Sequence, residues 1–331
     1  MFGFSIYRGQ ISKHSSVSHR VYHIALDVFK PGNILWSEQN RIYTSNGTLK
    51  SLVVKTARKS RAEDENGRDS PVRITGFVQM SYFELIVVHS DSNCIAYFNR
   101  ISGNESLFAG VCNQQGYEDG PATSARFNAP YSIIKDNRLT GHLILSDKLN
   151  GAVRLINTKT KTVSTLVKTR LLNPVKTIVQ NKQGHIYAHV MRRIYRIGYN
   201  SGSLRLLVGG ESFFNNHIGQ VPKILAKNSG QISMTEIGNV VLLVSDGRLR
   251  KFWLVDLIRL TMSETHIGYS AIGTTFNRPG PILKTEDGVY IADNSSIFKI
   301  ECKSLITLYK TVGCAFWVLI LNTNSPPSRQ T

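Results

Sequence analysis

Short runs of alternating apolar and polar residues, separated by glycine or asparagine turns, recur along most of the chain. Each recurrence has a first strand, a Gly or Asn turn, and a second apolar strand that ends near Ser or Asp. A third strand follows, in which Ile or Val stands beside Arg, Lys or Tyr. Alternation with a period of two is typical of half-buried β-strands. The pattern therefore predicts an all-β chain built from repeated antiparallel sheets.

Six such units can be traced along the sequence. Their spans are 23–54, 85–110, 131–167, 173–208, 230–257 and 276–310. The strand-end residues that mark them are Ser37, Asp91, Asp147, His189, Asp246 and Asp293. A spacing of roughly 40 to 60 residues suits one four-stranded sheet per unit with loops of varying length. Each sheet alone would have two apolar faces, so we expect the sheets to stack radially and close a ring.

A glycine-punctuated stretch at 107–130, LFAGVCNQQGYEDGPATSARFNAP, leads into the third unit. Its FNxP ending is repeated by Phe276, Asn277 and Pro279 before the sixth unit. The pattern AGxxxxxGYxDGxxxxARFNxP resembles the segment between blades of NHL-repeat β-propellers. This resemblance implies a six-bladed β-propeller of NHL-like repeats with four antiparallel strands each, over 22–310. The literal Asn-His-Leu triplet is missing, with Asn150 and Gly151 in its place in the third unit.

The segments outside the predicted propeller are 1–21 and 311–331. FSIYRGQ in the N-terminal segment could supply a strand that closes the ring, or could fray. The apolar run VGCAFWVLIL at 312–321 is too short for a bilayer, which needs about 20 residues, so no membrane span is predicted. No signal peptide is apparent, so the sequence favours a cytoplasmic protein, or an extracellular one if the N-terminus is incomplete.

Charge and cysteine usage narrow the classes of partner. Lys and Arg number 40 against 22 Asp and Glu, a net charge of +18. This favours nucleic acid, acidic proteins or anionic membrane surfaces as partners, although charge spread over the surface can serve solubility alone. The four cysteines form no CxxC pair, so neither a zinc site nor a disulfide-dense scaffold is indicated.

Enzyme chemistry finds weak support in the sequence. Asp147, Asp246 and Asp293 could surround a ring axis, but strand-end Asp residues usually accept hydrogen bonds from turns. The related peptide-amidating lyases bind zinc through histidines of several blades, which makes a metal-dependent enzyme the second alternative. His185 and His189 would lie about 13 Å apart on one strand, too far to share a metal as strand neighbours. We predict no catalytic residues, no metal site and no cofactor, since P-loop, GxSxG and GxGxxG motifs are also absent.

The function that the sequence favours is a non-catalytic, monomeric propeller that binds a protein partner through loops between blades. The charged segment 55–71 is expected to be an exposed loop, and the loop at 116–126 a second contact. The predicted partner-binding residues are Lys55, Arg58, Lys59, Arg61, Tyr117 and Arg126.

RNA binding is the first alternative function. NHL propellers of the tripartite-motif class bind single-stranded RNA on a positive face, and here basic residues alternate with aromatic ones. The candidate residues are Arg192, Arg193, Arg196, Arg248, Arg250 and Lys251. The same alternation is also how any half-buried strand looks, with aromatic side chains inward and arginine outward.

Overall fold

The computed structural model describes residues 11–56, 59–63, 69–191, 193–208, 232–238, 241–246, 250–257, 261–265, 276–293 and 296–301. These residues form six antiparallel sheets of four or five strands and one two-stranded hairpin. Short 3-10 turns occupy Ser90–Ser92, Lys148–Asn150 and Arg170–Leu172. Within these ranges there is no helix with the length and apolar character needed to cross a membrane.

The strands of the first three sheets are ordered along the chain from innermost to outermost. The first sheet contains β2 (Val21–Leu26), β3 (Ile34–Glu38), β4 (Arg41–Ser45) and β5 (Lys50–Lys55). The second contains β8 (Ile74–Gln79), β9 (Glu84–His89), β10 (Cys94–Asn99) and β11 (Glu105–Ala109). The third contains β13 (Pro130–Lys135), β14 (His142–Asp147), β15 (Ala152–Asn157) and β16 (Thr162–Lys168), with the short β12 (Gly120–Pro121) added outside β16.

The other three sheets follow the same order. The fourth contains β17 (Val175–Gln180), β18 (Ile186–Val190), β19 (Arg193–Ile197) and β20 (Leu204–Val208). The fifth contains β21 (Ile232–Gly238), β22 (Val241–Asp246), β23 (Lys251–Asp256) and β24 (Thr261–Thr265). The sixth contains β25 (Ile282–Lys284), β26 (Gly288–Ala292), β27 (Ser296–Glu301) and, outermost, β1 (Ile11–Ser16).

The innermost strands form a closed ring. Each contacts the innermost strand of the next sheet, in the order β2, β8, β13, β17, β21 and β25, and β25 contacts β2 again. The molecule is therefore a six-bladed β-propeller, as the repeat pattern predicted, and each sheet is one blade. The ring is closed by the antiparallel pairing of β1 with β27, which joins the beginning of the described chain to its last blade.

The core consists of six apolar layers, one between each pair of neighbouring blades. The alternation along β14 shows how the sequence produces them. Leu143 and Leu145 pack toward the second blade, while Ile144 packs toward the fourth. Each fully buried aliphatic side chain contributes about 1.5 to 3 kcal/mol to stability, so neighbouring blades stabilise each other.

Strand pairing corrects three of the six strand-end positions. Asp147 pairs with the first residue of β13, and the matching residues of the first, second and fourth blades are Glu38, His89 and Val190. The sequence had placed Ser37, Asp91 and His189 there. None of Glu38, His89 and Val190 is Asp, so aligning the units by residue type shifted the register by one or two residues.

Two parts of the segment at 55–71 form strands that the sequence did not predict. β6 (Lys59–Glu63) pairs with β7 (Asp69–Pro71) as an antiparallel hairpin, where the sequence predicted an exposed loop without strands. The hairpin lies between the first and second blades and β6 contacts the 3-10 turn Ser90–Ser92.

Candidate functional site

Strand direction gives the propeller two distinct faces. All innermost strands begin at one face, which we call the entry face. The second strands end and the third strands begin at this face, and the connections between blades that the structure describes also lie here. The opposite, exit face carries the turns between first and second strands and between third and fourth strands. The central channel opens on the entry face between the first residues of the innermost strands. Residues next to these strand starts therefore surround the mouth of the channel.

Four cations from four blades surround this mouth. Arg20 precedes β2, Arg73 precedes β8, Lys148 follows β14, and Lys176 is the second residue of β17. We call these residues the basic mouth. Tyrosines lie among them. The Arg20 guanidinium is 5.6 Å from the centre of the Tyr22 ring, and Lys148 Nζ is 5.6 Å from that of Tyr131.

Arg73 is held in place by Asp91. Its Nε lies 2.8 Å from Asp91 Oδ2, its Nη2 donates to Oδ1, and its backbone N–H donates to Oδ2 at 3.1 Å. Hydrogen bonding to Asp91 raises the pKa of Arg73 despite partial burial, so the guanidinium stays charged. The Arg73 side chain is nevertheless 51% exposed, which leaves part of it open to a ligand.

The positive charges of Lys148 and Lys176 are poorly neutralised by neighbouring groups. Burial, followed by the charges of Lys148 and Arg20, lowers the pKa of Lys176. Burial and then the charge of Arg73 lower the pKa of Lys148, against a smaller opposite effect of Asp91. Within the described chain, neither lysine forms an ion pair shorter than 4.0 Å. An anion at the mouth would stabilise both charged lysines.

A polar cleft adjoins the basic mouth and shares Asp91 with it. The cleft encloses about 470 Å³ and is lined by Asp91, Asn93, Asn113, Gln114, Gln115 and Arg126. Its wall is built from the stretch at 107–130. The Cys94–Cys112 disulfide ties that stretch to the start of β10, and Asn93 Oδ1 accepts from the backbone N–H of Ala129 at 2.7 Å. Ala129 has a φ of 51°, so this hydrogen bond supports a strained backbone.

The recurring strand-end carboxylates are structural where their side chains are described. Asp147 accepts from the backbone N–H of Asn128 at 2.8 Å, and Asp293 accepts from that of Asn277 at 3.0 Å. Both donors belong to the FNxP segments. Asp147 and Asp293 thus accept hydrogen bonds, as predicted. Their donors, however, include residues of the connection that precedes the blade, and not only residues of the turn that follows the strand. The side chain of Asp246 lies outside the described part of the structure.

The predicted partner-binding residues converge in part on the entry face. Lys55 ends β5 at this face, and Arg126 lines the cleft, 3.5 Å from Glu118. Lys59 and Arg61 lie in β6 beside Ser90–Ser92, although their side chains are not described, and Arg58 lies outside the described residues. The partner contact predicted from these residues stays a prediction.

Tyr117 packs against the propeller itself. Lys168 Nζ lies 3.2 Å from the centre of its ring, and its hydroxyl is 2.8 Å from Thr165 Oγ1. The residue nevertheless remains 38% exposed. Its main role is to cover the outer strands of the third blade.

The residues predicted for RNA binding are only partly described. Arg193 begins β19 at the entry face, and Arg250 precedes β23 at the same face. Arg196 lies three residues along β19, where its charge acts on His185 near the exit face. Arg192 and Arg248 lie outside the described residues, as does the Lys251 side chain. RNA binding by these residues stays a prediction.

The histidines are separated in the structure. Buried His89 Nε2 lies 2.9 Å from Glu105 Oε1, and buried His189 Nε2 lies 2.7 Å from the Met191 carbonyl oxygen. Burial lowers the pKa of His189 to about 4. In the described ranges, no three His, Cys, Asp or Glu side chains are close enough together to hold a metal ion.

The basic mouth was not identified from the sequence. Arg20, Arg73, Lys148 and Lys176 are separated along the chain and carry no local motif. A signal was present, because each stands within two residues of the start of an innermost strand or of a second-strand end. A correct register between repeats would have aligned Arg20 with Arg73, since each stands one residue before the start of an innermost strand.

Comparison with known proteins supports the fold class. No family model and no curated protein matches the sequence, so NHL-repeat identity is not confirmed. Among solved structures, a streptogramin B lyase has 12% sequence identity and a TM-score of 0.55, over 89% of this chain and 98% of that one. A gluconolactonase-like protein has 11% identity and a TM-score of 0.58, over 88% and 92%. A chain of the nidogen/laminin complex has 10% identity and a TM-score of 0.53, over 79% and 85%. At such identities the likeness shows the propeller fold alone.

Proposed function

We propose that this protein is a non-catalytic binding platform whose entry face receives an acidic segment of a protein partner. The observation that carries the proposal is the basic mouth, where cations of four blades meet beside a polar cleft. Propellers with different activities and partners share this fold, so the argument comes from the site and not from the likeness.

The chemistry of the mouth suits a carboxylate ligand. Arg73 is oriented by Asp91 and still half exposed, so it can donate to a second carboxylate. Lys148 and Lys176 have no ion-pair partner within 4.0 Å among the described residues, so both would gain a counter-charge from a bound carboxylate. The amides of the cleft can hydrogen-bond the backbone of a bound segment, which makes the cleft a continuation of the charged site.

Binding of a fluorescent, glutamate-rich peptide to the full chain tests the proposal, with the matching glutamine-rich peptide as control. We expect the double variant K148Q/K176Q to bind the acidic peptide about tenfold more weakly, because two contacting charges are lost. The matched control K13Q/R205Q removes two charges from exposed outer-strand positions and should keep the affinity. Equal affinity of K148Q/K176Q and the wild type would refute the proposal.

A single-stranded RNA in the same salt series separates the RNA alternative. RNA that binds more tightly than the peptide, and that depends on Arg193 and Arg250 but not on Lys148 and Lys176, would favour the RNA function over the proposed one.

A further inference from the structure

The exit face carries a group of exposed apolar side chains that folding does not explain. Their exposed fractions are 59% for Val28, 43% for Phe29, 39% for Tyr82, 44% for Phe83 and 71% for Ile101. They stand on three neighbouring turns of the first and second blades, and we call them the aromatic tip cluster. Solvent-exposed aromatic side chains grouped in this way mark interaction surfaces.

The cluster is held in one arrangement by the turns beneath it. The ring centres of Phe29 and Tyr82 are 6.3 Å apart, and those of Tyr82 and Phe83 are 4.8 Å apart. Arg100 joins the turns, since its Nη1 donates to the Tyr82 carbonyl at 3.0 Å and its backbone N–H to that of Phe83 at 2.7 Å. The surface is therefore preformed and needs no ordering to bind.

Cations surround the aromatic tips. Lys30 Nζ lies 5.6 Å from the Tyr82 ring centre, and the Arg100 guanidinium lies 5.4 Å from it. The exit-face turns of the third and fourth blades add a row of exposed basic residues. These are Arg138, Lys159, Lys161 and Lys182.

The acidic side chains of the same turns form hydrogen bonds or ion pairs with other residues of the protein. Asp27 accepts from Gln79 Nε2 at 2.9 Å and lies 3.6 Å from Arg100. Asp136 is buried and accepts from Gln180 Nε2 at 3.1 Å, and Glu84 accepts from the Tyr97 hydroxyl. These exit-face turns therefore present apolar tips and positive charge to solvent.

We infer that the exit face docks on an anionic lipid surface. Aromatic and aliphatic tips can enter the headgroup region while the neighbouring lysines and arginines meet the lipid phosphates and carboxylates. A folded protein partner fits less well, because protruding tips on separate turns offer a few side chains, against about 800 Å² per partner in a stable interface. The net charge of +18 agrees with an anionic target. Docking by this face would leave the entry face open to its partner.

Co-sedimentation of the full chain with vesicles tests the inference. Vesicles of phosphatidylcholine alone are compared with vesicles that also contain phosphatidylserine. We expect binding to the anionic vesicles, weakened about tenfold by F29S/F83S because two tips no longer insert. The matched control L149S/L171S removes two exposed leucines from the entry face and should bind as the wild type does.

A second pair of variants tests the charges. R138Q/K159Q/K182Q should weaken binding and reduce its salt dependence, whereas K13Q/K55Q/R205Q removes three charges from the outer strands and should change it little. The inference is wrong if the wild type does not bind anionic vesicles, or if F29S/F83S binds them as well as the wild type does. It is also wrong if both charge variants lose affinity equally. Thermal unfolding of every variant confirms that it is folded.

Discussion

Arg154 and Asp147 form an ion pair in which both side chains are fully buried, with Arg154 Nη1 2.7 Å from Asp147 Oδ2. The same guanidinium donates to the backbone carbonyls of Glu118 at 2.6 Å and Arg126 at 3.1 Å, and it also bonds Asp119. One side chain of β15 thus binds two points of the stretch that precedes the third blade. It anchors the wall of the polar cleft.

This arginine is particular to the third blade. Strand pairing places aromatic residues at the matching position of the other blades, namely Tyr43, Tyr195, Trp253 and Phe298, with Ala96 in the second. An aromatic ring at this position packs into the apolar layer between two neighbouring blades. Only a connection that folds back over its own blade offers the carbonyls and carboxylates that a buried guanidinium requires.

Replacing Arg154 by methionine should lower the free energy of unfolding by about 3 to 5 kcal/mol, because Asp147 stays buried without its cation. Urea denaturation measures the change. The double variant R154M/D147N should recover part of the loss, since no uncompensated charge remains. Exposed Arg205 changed to methionine is the control and should alter stability little. If R154M loses no more unfolding free energy than the control, the buried ion pair does not stabilise the propeller as proposed.

Glu38 has a comparable role at the ring closure. It accepts from Trp36 Nε1 at 2.7 Å, from Lys50 Nζ at 2.9 Å, and from the backbone N–H of Ser18 at 2.9 Å. Burial favours the neutral form, but these hydrogen bonds outweigh it and lower the pKa of Glu38. The carboxylate thus fastens the link between β1 and β2.

The variant E38Q should unfold at lower urea concentration and expose β1 first, because the charged acceptor of that link is lost. A loss of about 1.5 to 3 kcal/mol is expected for hydrogen bonds to a charged group. Since the folded pKa is lowered, the stabilisation is present at neutral pH and disappears as pH falls through that pKa. Amide hydrogen exchange at Ile11–Ser16 is the measurement, and unchanged protection there in E38Q would disprove the role.

The disulfide between Cys94 and Cys112, 18 residues apart, closes a loop that includes the outer strand of the second blade. For a loop of that length the chain-entropy estimate is about 3 kcal/mol of stability. The variant C94S/C112S should therefore lose that amount, and reduction of the wild type should do the same. Mass spectrometry after alkylation without reductant provides the direct test, and labelled thiols at both positions would show that the bond does not form.

The sequence was sufficient to predict the sheets of the propeller, but not to predict which residues meet on its surface. Alternation along strands such as Leu143–Leu145 and the two FNxP segments predicted six blades, because burial between blades acts on every repeat. The basic mouth depends on Arg20, Arg73, Lys148 and Lys176, which meet only once the ring closes. Cys94 and Cys112 were missed for a similar reason, since the outer strand between them returns the chain to its starting face.

His189 should make the protein sensitive to acid well above the pH at which carboxylates titrate. Its pKa is lowered to about 4, first by burial and then by the charge of Lys176, against a hydrogen bond with Met191. In the unfolded chain the same imidazole takes up a proton near its ordinary value of 6.5. Between these two values the unfolded state binds more protons than the folded one, so stability falls as pH decreases.

Urea denaturation at about pH 7 and about pH 4.5 measures this effect, and His189 alone should account for about 2 to 3 kcal/mol of the difference. The variant H189Q should be less stable at neutral pH yet show a smaller loss on acidification, because glutamine does not titrate. His142, which begins β14 at the exit face, provides the matched control H142Q, which should follow the wild type. If H189Q loses as much stability on acidification as the wild type, the buried imidazole is not the proton acceptor that destabilises the propeller.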